Sequence, residues 1–436
     1  MNRTALPIGF VAACVFAIAG AAEPGTPTDI GPHPKLPAPH KQLLPTMKVA
    51  PAIGWPAGAK PHASGGLTVI AFADRLDHPR WLYVLPNGDV LVAETNAPQR
   101  PDDGRGIKGW VSKKFMKKAG AGTPSANRIT LLRDTNGDGV ADQRFAFAEG
   151  LNSPLGMVLV GDSFYVANTD AVLRYAYKAG QTKLTGPAER VTELPAGTLN
   201  HHWTKNLVAS ADGKRLYASV GSNSNAAENG IDAEKQRAAI LEIDVLNGAK
   251  RVYASGLRNP VGMAWEPGSG TLWTSVNERD ELGDDLVPDY MTSVRDGGFY
   301  GWPYSYYGGH LDERVKPQRP DLVAKAIIPD YALGAHTASL GLAAADGNAL
   351  GPAYTHGMFV SQHGSWNRSE PAGYKVIFVP FDGPKPRGMP IAVLDGFLNP
   401  KGEAMGRPVG IALDKAGALL VADDVGNTIW RLTLNP

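Results

Sequence analysis

The chain has 436 residues, room for two or three average domains or for one large domain built from repeats. Its 51 Gly and 35 Pro, with no long segment keeping apolar residues at i, i+3, i+4, i+7, exclude a helix-dominated protein and favour turn-rich β structure. Lys and Arg number 43 against 42 Asp and Glu, and the resulting formal net charge of +1 leaves no electrostatic footprint for nucleic acid or an anionic membrane.

Residues 1–21 read as a secretory signal peptide, with Arg3, an apolar run from Ala5 to Ile18, and Ala19-Gly20-Ala21 at the cut. The run is shorter than the roughly 20 residues that span a bilayer, so no membrane span is expected in the mature chain. A lipoprotein is the minor alternative, because Val11-Ala12-Ala13 precedes Cys14. Cys14 is the only cysteine, so the mature chain is expected to lack thiols and disulfides, in the periplasm or outside the cell. Residues 22–66 are rich in Pro, Ala, Lys and Gly and read as an irregular arm.

From Leu67 to the end a pattern recurs: a turn with Pro or Gly, a short apolar run, a Gly turn, then a second alternating run. Copies begin at Asp77 (DHPRWLYVLPNGDVLVAET), Gly150 (GLNSPLGMVLVGDSFYVAN), His201 (HHWTKNLVASADGKRLYASVG), Gly256 (GLRNPVGMAWEPGSGTLWTS), Thr337 and Gly406 (GRPVGIALDKAGALLVAD). Period-2 runs joined by Asn-Gly, Asp-Gly or Ala-Gly are β-hairpins, and one hairpin cannot bury its apolar face alone. Six such units without polar capping repeats predict an all-β six-bladed β-propeller over residues 67–436, with Thr428 to Leu434 free to join the first blade. Two successive β-sandwiches are the alternative; they leave the recurrence of the PxGM/PVGI turn unexplained. Asp232 to Ala239 reads as a short helix, and the basic stretch Lys108 to Gly122 as a solvated loop insertion.

In a propeller the turns before the innermost strands converge on the axis. Here those turns carry Arg80, Asn152, His201 and His202, Arg258 and Asn259, His336, and Arg407. Several Arg forks in one ring suit a ligand with several carboxylates; each Arg capping its own loop carbonyls is the plainer reading. One histidine of the His201-His202 pair is a candidate general base. The loop Asn277 to Asp285 packs five carboxylates into nine residues, with Asp289 just beyond, a density of hard oxygens suited to Ca²⁺. Asp134 to Asp142 matches the first half of an EF-hand loop, but Phe145 stands where the bidentate Glu belongs, so it is either a structural calcium site or an Asx-rich hairpin turn. His363, Trp366, Arg368 and Lys375 offer a flat aromatic surface with cationic or ionisable groups, suited to a planar anionic ligand. No nucleotide-binding fingerprint accompanies them.

Taken together, GLRNPVGMAW, VNERDELGDDLVPDY, GGFYGWPY and GSWNRSEPAGYKV resemble the sorbosone dehydrogenase family, a branch of the soluble pyrroloquinoline-quinone (PQQ) sugar dehydrogenases. The similarity runs from about Leu67 to Leu434. It implies a six-bladed propeller that holds PQQ and Ca²⁺ and oxidises an aldose or sugar aldehyde by hydride transfer. Asn200-His201-His202 matches the family's Asn-Asp-His turn, so the base falls on His202, with His201 where an acidic partner stands in relatives. Arg258 and Asn259 match the Arg-Asn-Pro turn, whose arginine faces the quinone. Asn277, Glu278 and Arg279 fall where calcium ligands come partly from backbone carbonyls, and Asp284 and Asp285 align with structural-calcium ligands. Lys375 and Arg407 match cationic groups that hold the PQQ carboxylates, with Asn152, His201, His363 and Arg368 as further cofactor contacts. With no CxxCH haem-attachment motif, electrons are expected to leave to a separate acceptor, a cytochrome or a quinone. The competing functions are a calcium-dependent sugar lactonase and a non-enzymatic binding propeller, which the fold alone does not separate.

Overall fold

The structure is a computed structural model that describes residues 29–40, 46, 48–99 and 122–435; the expected signal peptide at 1–21 and residues 108–121 of the basic insertion lie outside the described residues. Six antiparallel sheets succeed one another along the chain, and each is built outward from an innermost strand. Those innermost strands are Pro79–Val84, Met157–Val160, Leu207–Ala209, Pro260–Glu266, Ser339–Ala344 and Pro408–Leu413. Each packs beside the next, and the last packs beside the first, so the sheets close into a six-bladed β-propeller.

The glycine of the recurrent Pro-x-Gly turn, like Gly341 of Ser339-Leu340-Gly341 at the equivalent place in blade five, has a packing reason. A Cβ on Gly262 would stand 2.6 Å from the Leu340 carbonyl of the next blade, and one on Gly341 would stand 2.3 Å from the Val409 carbonyl. Real Cβ atoms do not come that near a carbonyl oxygen, so glycine is what lets neighbouring innermost strands approach at the axis. Farther out, large side chains fill the widening gap between blades. Phe147 of the first blade meets Phe164 of the second edge-on, with centroids 5.3 Å apart, inside a cluster that includes Trp81, Leu131 and Met157. Such an edge-to-face pair adds about 0.5–1.5 kcal/mol beyond the area that it buries.

Ring closure differs in one respect from the sequence reading. Thr428–Leu434 does pair with the first propeller strand, Leu67–Ala73, in the register Leu67↔Leu434 and Ile70↔Arg431. The sheet so formed is the sixth blade: the N-terminal strand becomes its outer edge, and the first blade starts afresh at Pro79. The first and last strands of the propeller are thereby tied into one sheet, which closes the ring.

The Pro-rich arm is stitched to the last three blades. Ile30–Gly31 adds outside Tyr331–Ala335 of blade four, and His62–Ala63 outside Ile391–Asp395 of blade five. Between them Trp55 lies edge-on to Phe397 and Trp430 and donates its indole N–H to Asp423 at 2.6 Å. The expected helix at 232–239 is a single 3₁₀ turn, Ile231–Glu234. The Asp134 to Asp142 loop forms a hairpin turn in which Asp134 accepts the N–H groups of Gly137 and Gly139 at 2.8 and 2.9 Å, and Asp138 that of Val140 at 2.8 Å. Between blade strands Pro288–Ser293 and Tyr331–Ala335 the chain makes an excursion. It adds Gly298–Phe299 in parallel outside blade three and forms the hairpin Ser305–Tyr306 with His310–Leu311.

Candidate active site

The innermost strand of each blade starts at the same end at which its second strand stops, so two rings of turns interleave there. One ring leads into the inner strands, and the other leaves the second strands. In the first ring, His202 is the best-defined candidate base. Its Nδ1 lies 2.8 Å from the Ser222 carbonyl and 3.0 Å from Ser222 Oγ. A carbonyl only accepts, and Ser222 Oγ spends its own hydrogen on the Ser224 carbonyl at 2.6 Å. Nδ1 therefore carries the proton, and Nε2 is the nitrogen with the free lone pair. Burial, followed by the charge of Arg258, holds the His202 imidazole well below its usual 6.5, so the ring is neutral at pH 7. The carbonyl of Ser222 thus does the orienting that an acidic residue in place of His201 would do; the His201 backbone N–H is itself bound to Asn223 Oδ1 at 3.1 Å.

Gly221 brings the second element beside it. A Cβ there would stand 2.2 Å from Asn259 Oδ1 and 2.5 Å from the His202 Cβ, so Asn259 and His202 share one narrow cradle. Asn259 Oδ1 is buried and has no hydrogen-bond partner among the described residues. Arg258, 4% exposed, donates to the carbonyls of Asn277 at 3.3 Å and Glu278 at 2.6 Å, to Asn225 Oδ1 at 2.9 Å, and to Asp280 at 3.4 Å. Asp280 also faces His336 Nδ1 at 3.3 Å and accepts from Asn367 Nδ2 at 2.5 Å. Burial would raise its pKa, but His336 and Arg258 outweigh that and hold it below the usual carboxylate value. His336 meets an acceptor at each nitrogen, the other being the Gly283 carbonyl at 2.8 Å.

A second cluster centres on Asp424. It accepts from Arg80 at 2.6 Å and from His363 Nε2 at 2.9 Å, with His78 Nε2 at 3.5 Å. Burial opposes its ionisation, yet the hydrogen bond from His363 and the charge of Arg80 keep the carboxyl well below the usual range. Burial pushes His363 down to about 4, so Arg80 is the cation that matches this carboxylate. The Arg80 guanidinium also lies 5.9 Å from the ring centre of Trp203, which links this cluster to the His202 turn.

Arg407 is different. It is 3% exposed; among the described residues its guanidinium reaches the Gly364 and Ala50 carbonyls at 3.5 and 3.3 Å, and its Nε has no partner. It lies 4.9 Å from the Tyr374 ring centre, and among the described residues no carboxylate forms an ion pair with it. A buried cation left in that state is costly unless an anion reaches it.

The remaining expected site residues divide. Lys375 begins the third strand of blade five, opposite Gln362. Arg368 pairs with Asp285 at 2.7 Å and also reaches the Ala335 carbonyl. Asp284 accepts from Thr46 at 3.0 Å and from the Ser369 N–H at 2.9 Å. Asn152 is exposed and turns to Asp170 at 2.9 Å, bracing the second blade's own turn. Glu278 and Arg279 pair with each other at 3.0 Å inside the protein, and Arg279 continues to the carbonyls of Pro303 and Ser305 and to Asp312. Asn277, Glu278 and Arg279, expected to supply calcium partly through backbone carbonyls, and Asp284 and Asp285, expected as structural-calcium ligands, thus engage different side-chain partners. Among the described residues, no group of three or more His, Cys, Asp or Glu side chains stands where it could hold a metal ion. What does converge is the pair of carbonyl oxygens of Asn277 and Glu278, both directed at a positive centre, Arg258 Nη1.

Asn225, Ser222, Asp280 and Asp424 were not singled out from the sequence. All four stand in the ring that leaves the second strands, after Val220, Val276 and Asp423. Applying the repeat logic to those exits as well as to the inner-strand starts would have found them.

The TrAA12-like family model matches residues 61–292 and 323–435. The aldose sugar dehydrogenase YliI of Escherichia coli (strain K12) is 24% identical over 294 residues, covering 62% of this chain and 69% of its own. Among solved structures, the calcium structure of the Trichoderma reesei carbohydrate-active enzymes family AA12 protein superposes with a TM-score of 0.68 at 17% identity, covering 89% of this chain and 99% of that one. The holo form of the pyranose dehydrogenase PQQ domain from Coprinopsis cinerea gives 0.68 at 20% identity, covering 88% and 100%. At these identities the two structures establish a shared fold, while the family match spans well over half of the sequence: the chain belongs to the TrAA12-like family.

Proposed function

We propose that this protein is a quinoprotein dehydrogenase of the sorbosone dehydrogenase branch that oxidises an aldose or sugar aldehyde. The supporting comparisons are the pyranose dehydrogenase PQQ domain, the family AA12 calcium structure and the E. coli aldose sugar dehydrogenase. In this reading residues 1–21 direct export to the periplasm or beyond, 22–66 form the arm, and 67–436 form the catalytic propeller. A separate cytochrome or quinone collects the electrons.

The observation that carries the proposal is the state of His202: a buried neutral imidazole whose Nδ1–H is fixed by a carbonyl, leaving Nε2 basic beside Arg258 and Asn259. The residues present fit the cofactors. Arg407 is a buried cation awaiting an anion, and Asn259 Oδ1 is an acceptor awaiting a donor. Arg407, with Lys375, Arg368, His363 and His201, would hold PQQ carboxylates, and the Asn277 and Glu278 carbonyl oxygens, each with a second lone pair beyond the one that faces Arg258, would be hard ligands for Ca²⁺. When bound, PQQ supplies the hydride acceptor and Ca²⁺ the Lewis acid. The protein's own part is electrostatic and positional. His202 Nε2 takes the proton from the reacting sugar hydroxyl. Arg258, fixed on four sides, presents positive charge where negative charge develops.

The direct test is to add PQQ and Ca²⁺ to purified apo-protein and follow dye reduction across a panel of aldoses and sugar aldehydes. Sugar-dependent reduction that requires both additions is expected. Absence of any cofactor absorbance change, together with no dye reduction for any sugar, would refute the proposal.

A further inference from the structure

The excursion at 293–322 lies between the two stretches that the family model matches, yet it reaches the candidate site. Trp302 donates its indole N–H to the Asn225 carbonyl at 3.0 Å, and Arg314 donates to the Asp280 carbonyl at 3.0 Å. Asn225 and Asp280 are themselves tied reciprocally: Asn225 Oδ1 accepts the Asp280 N–H at 2.8 Å, and Asn225 Nδ2 donates to the Asp280 carbonyl at 3.2 Å. The same Asn225 Oδ1 accepts from Arg258 Nη2 at 2.9 Å, and the Asn225 carbonyl accepts from Arg258 Nε at 3.3 Å. Arg314 in turn is clamped by Asp312 through two bonds of 2.8 and 2.7 Å, and Asp312 also takes Arg279 at 3.1 Å.

We propose that Asn225, held in place by Trp302 and Arg314 of the 293–322 excursion, is the positioning residue that sets Arg258 against His202. The proposal rests on the reading of Arg258 and His202 given above. Trp302 holds the Asn225 backbone and Arg314 the Asp280 backbone to which the Asn225 amide is tied; without Asn225, Arg258 keeps, among the described residues, Asn277, the Glu278 carbonyl and its long contact to Asp280. Positioning partners of this kind typically change function by about 10–100-fold when removed. A second consequence follows, because the charge of Arg258 helps hold the His202 imidazole neutral. An Arg258 that drifts away lets the His202 ring take up a proton at higher pH.

The experiment compares Asn225→Ala, Trp302→Phe and Arg314→Met with the wild type and with His310→Ala, an exposed residue of the excursion hairpin that touches none of these groups. Two readouts are taken: the pH titration of the His202 ring by NMR in the apo-protein, and kcat and KM for sugar after reconstitution. Thermal unfolding identifies variants that are merely unstable, and the half-buried Asn225 is the site most tolerant of truncation. Expected are a His202 midpoint moved toward 6.5, kcat lowered about 10-fold or more with KM for sugar little changed, and no effect of His310→Ala. Folded variants with the wild-type midpoint overturn the proposal, whatever happens to kcat. If the midpoint moves as expected while the wild type itself shows no PQQ-dependent activity, the bracket stands and the dehydrogenase reading falls.

Discussion

Gly221→Ala tests the cradle with one methyl group. The added Cβ would lie 2.2 Å from Asn259 Oδ1 and 2.5 Å from the His202 Cβ. Non-bonded carbon contacts settle at about 3.5–4.0 Å, so each of the two neighbours must retreat by about 1 Å or more. The His202 hydrogen bond to Ser222 is 2.8 Å long, and a retreat of that size takes it beyond useful length. Overpacking of this kind costs about 1–3 kcal/mol of stability, and a misplacement of about 1 Å costs on the order of 100-fold in rate. Urea unfolding gives the first number, and steady-state dye reduction by reconstituted enzyme gives the second. A larger relative loss of kcat than of folded fraction is expected. Wild-type turnover at wild-type stability would mean that Asn259 and His202 do not share the cradle, and the site geometry described above would be wrong.

Other outcomes follow from the same geometry. Because burial and Arg258 hold the His202 pKa well below 6.5, the acid limb of kcat/KM should fall below pH 6.5, with activity retained from neutrality down to it. The linkage has the matching sign: the unfolded ring binds a proton below 6.5 and the folded ring does not, so His202 withdraws stability as pH falls from 6.5 towards its folded value. An acid limb above 6.5 would contradict this. Arg407→Met replaces an unpaired buried cation with an apolar chain. The apo-protein should then unfold no earlier, and later by up to about 1 kcal/mol, while PQQ affinity falls about 10–100-fold, the worth of one charged hydrogen bond or two. Calorimetry on apo-protein and a PQQ titration check both, and a variant that binds PQQ like the wild type would remove Arg407 from the site.

The propeller was legible because its repeats answer to a local requirement. A glycine recurs where an innermost strand passes close to the next in four blades, at Gly156, Gly262, Gly341 and Gly410, three of them as Pro-x-Gly, and such a constraint leaves a repeated mark in the sequence. Which sheet the strand Leu67–Ala73 would complete was not legible, since both its neighbours in space are alternating apolar runs that accept the same partner. The His201-His202 turn, Arg258 and Arg407 were visible as unusual residues at equivalent turns. The surroundings of the acidic loop were not. Composition alone made Asn277 to Asp285 look like one ligand set, but its charges are spent on different partners, most of them brought in from elsewhere. Arg279 goes to the carbonyls of Pro303 and Ser305, Asp285 to Arg368, and Asp280 to His336 and Asn367. Such pairings join residues tens of positions apart and carry no local spacing. The orienting group of His202 is a backbone carbonyl, which no side-chain motif announces.

The most direct test of the account is the turnover of His202→Ala in enzyme reconstituted with PQQ and Ca²⁺. The account predicts that the variant folds and binds the cofactor, and that kcat for sugar falls by about 100- to 10,000-fold, the usual worth of a positioned general base. Near-wild-type turnover in the cofactor-loaded variant would contradict the role assigned to His202 and, with it, the proposed mechanism.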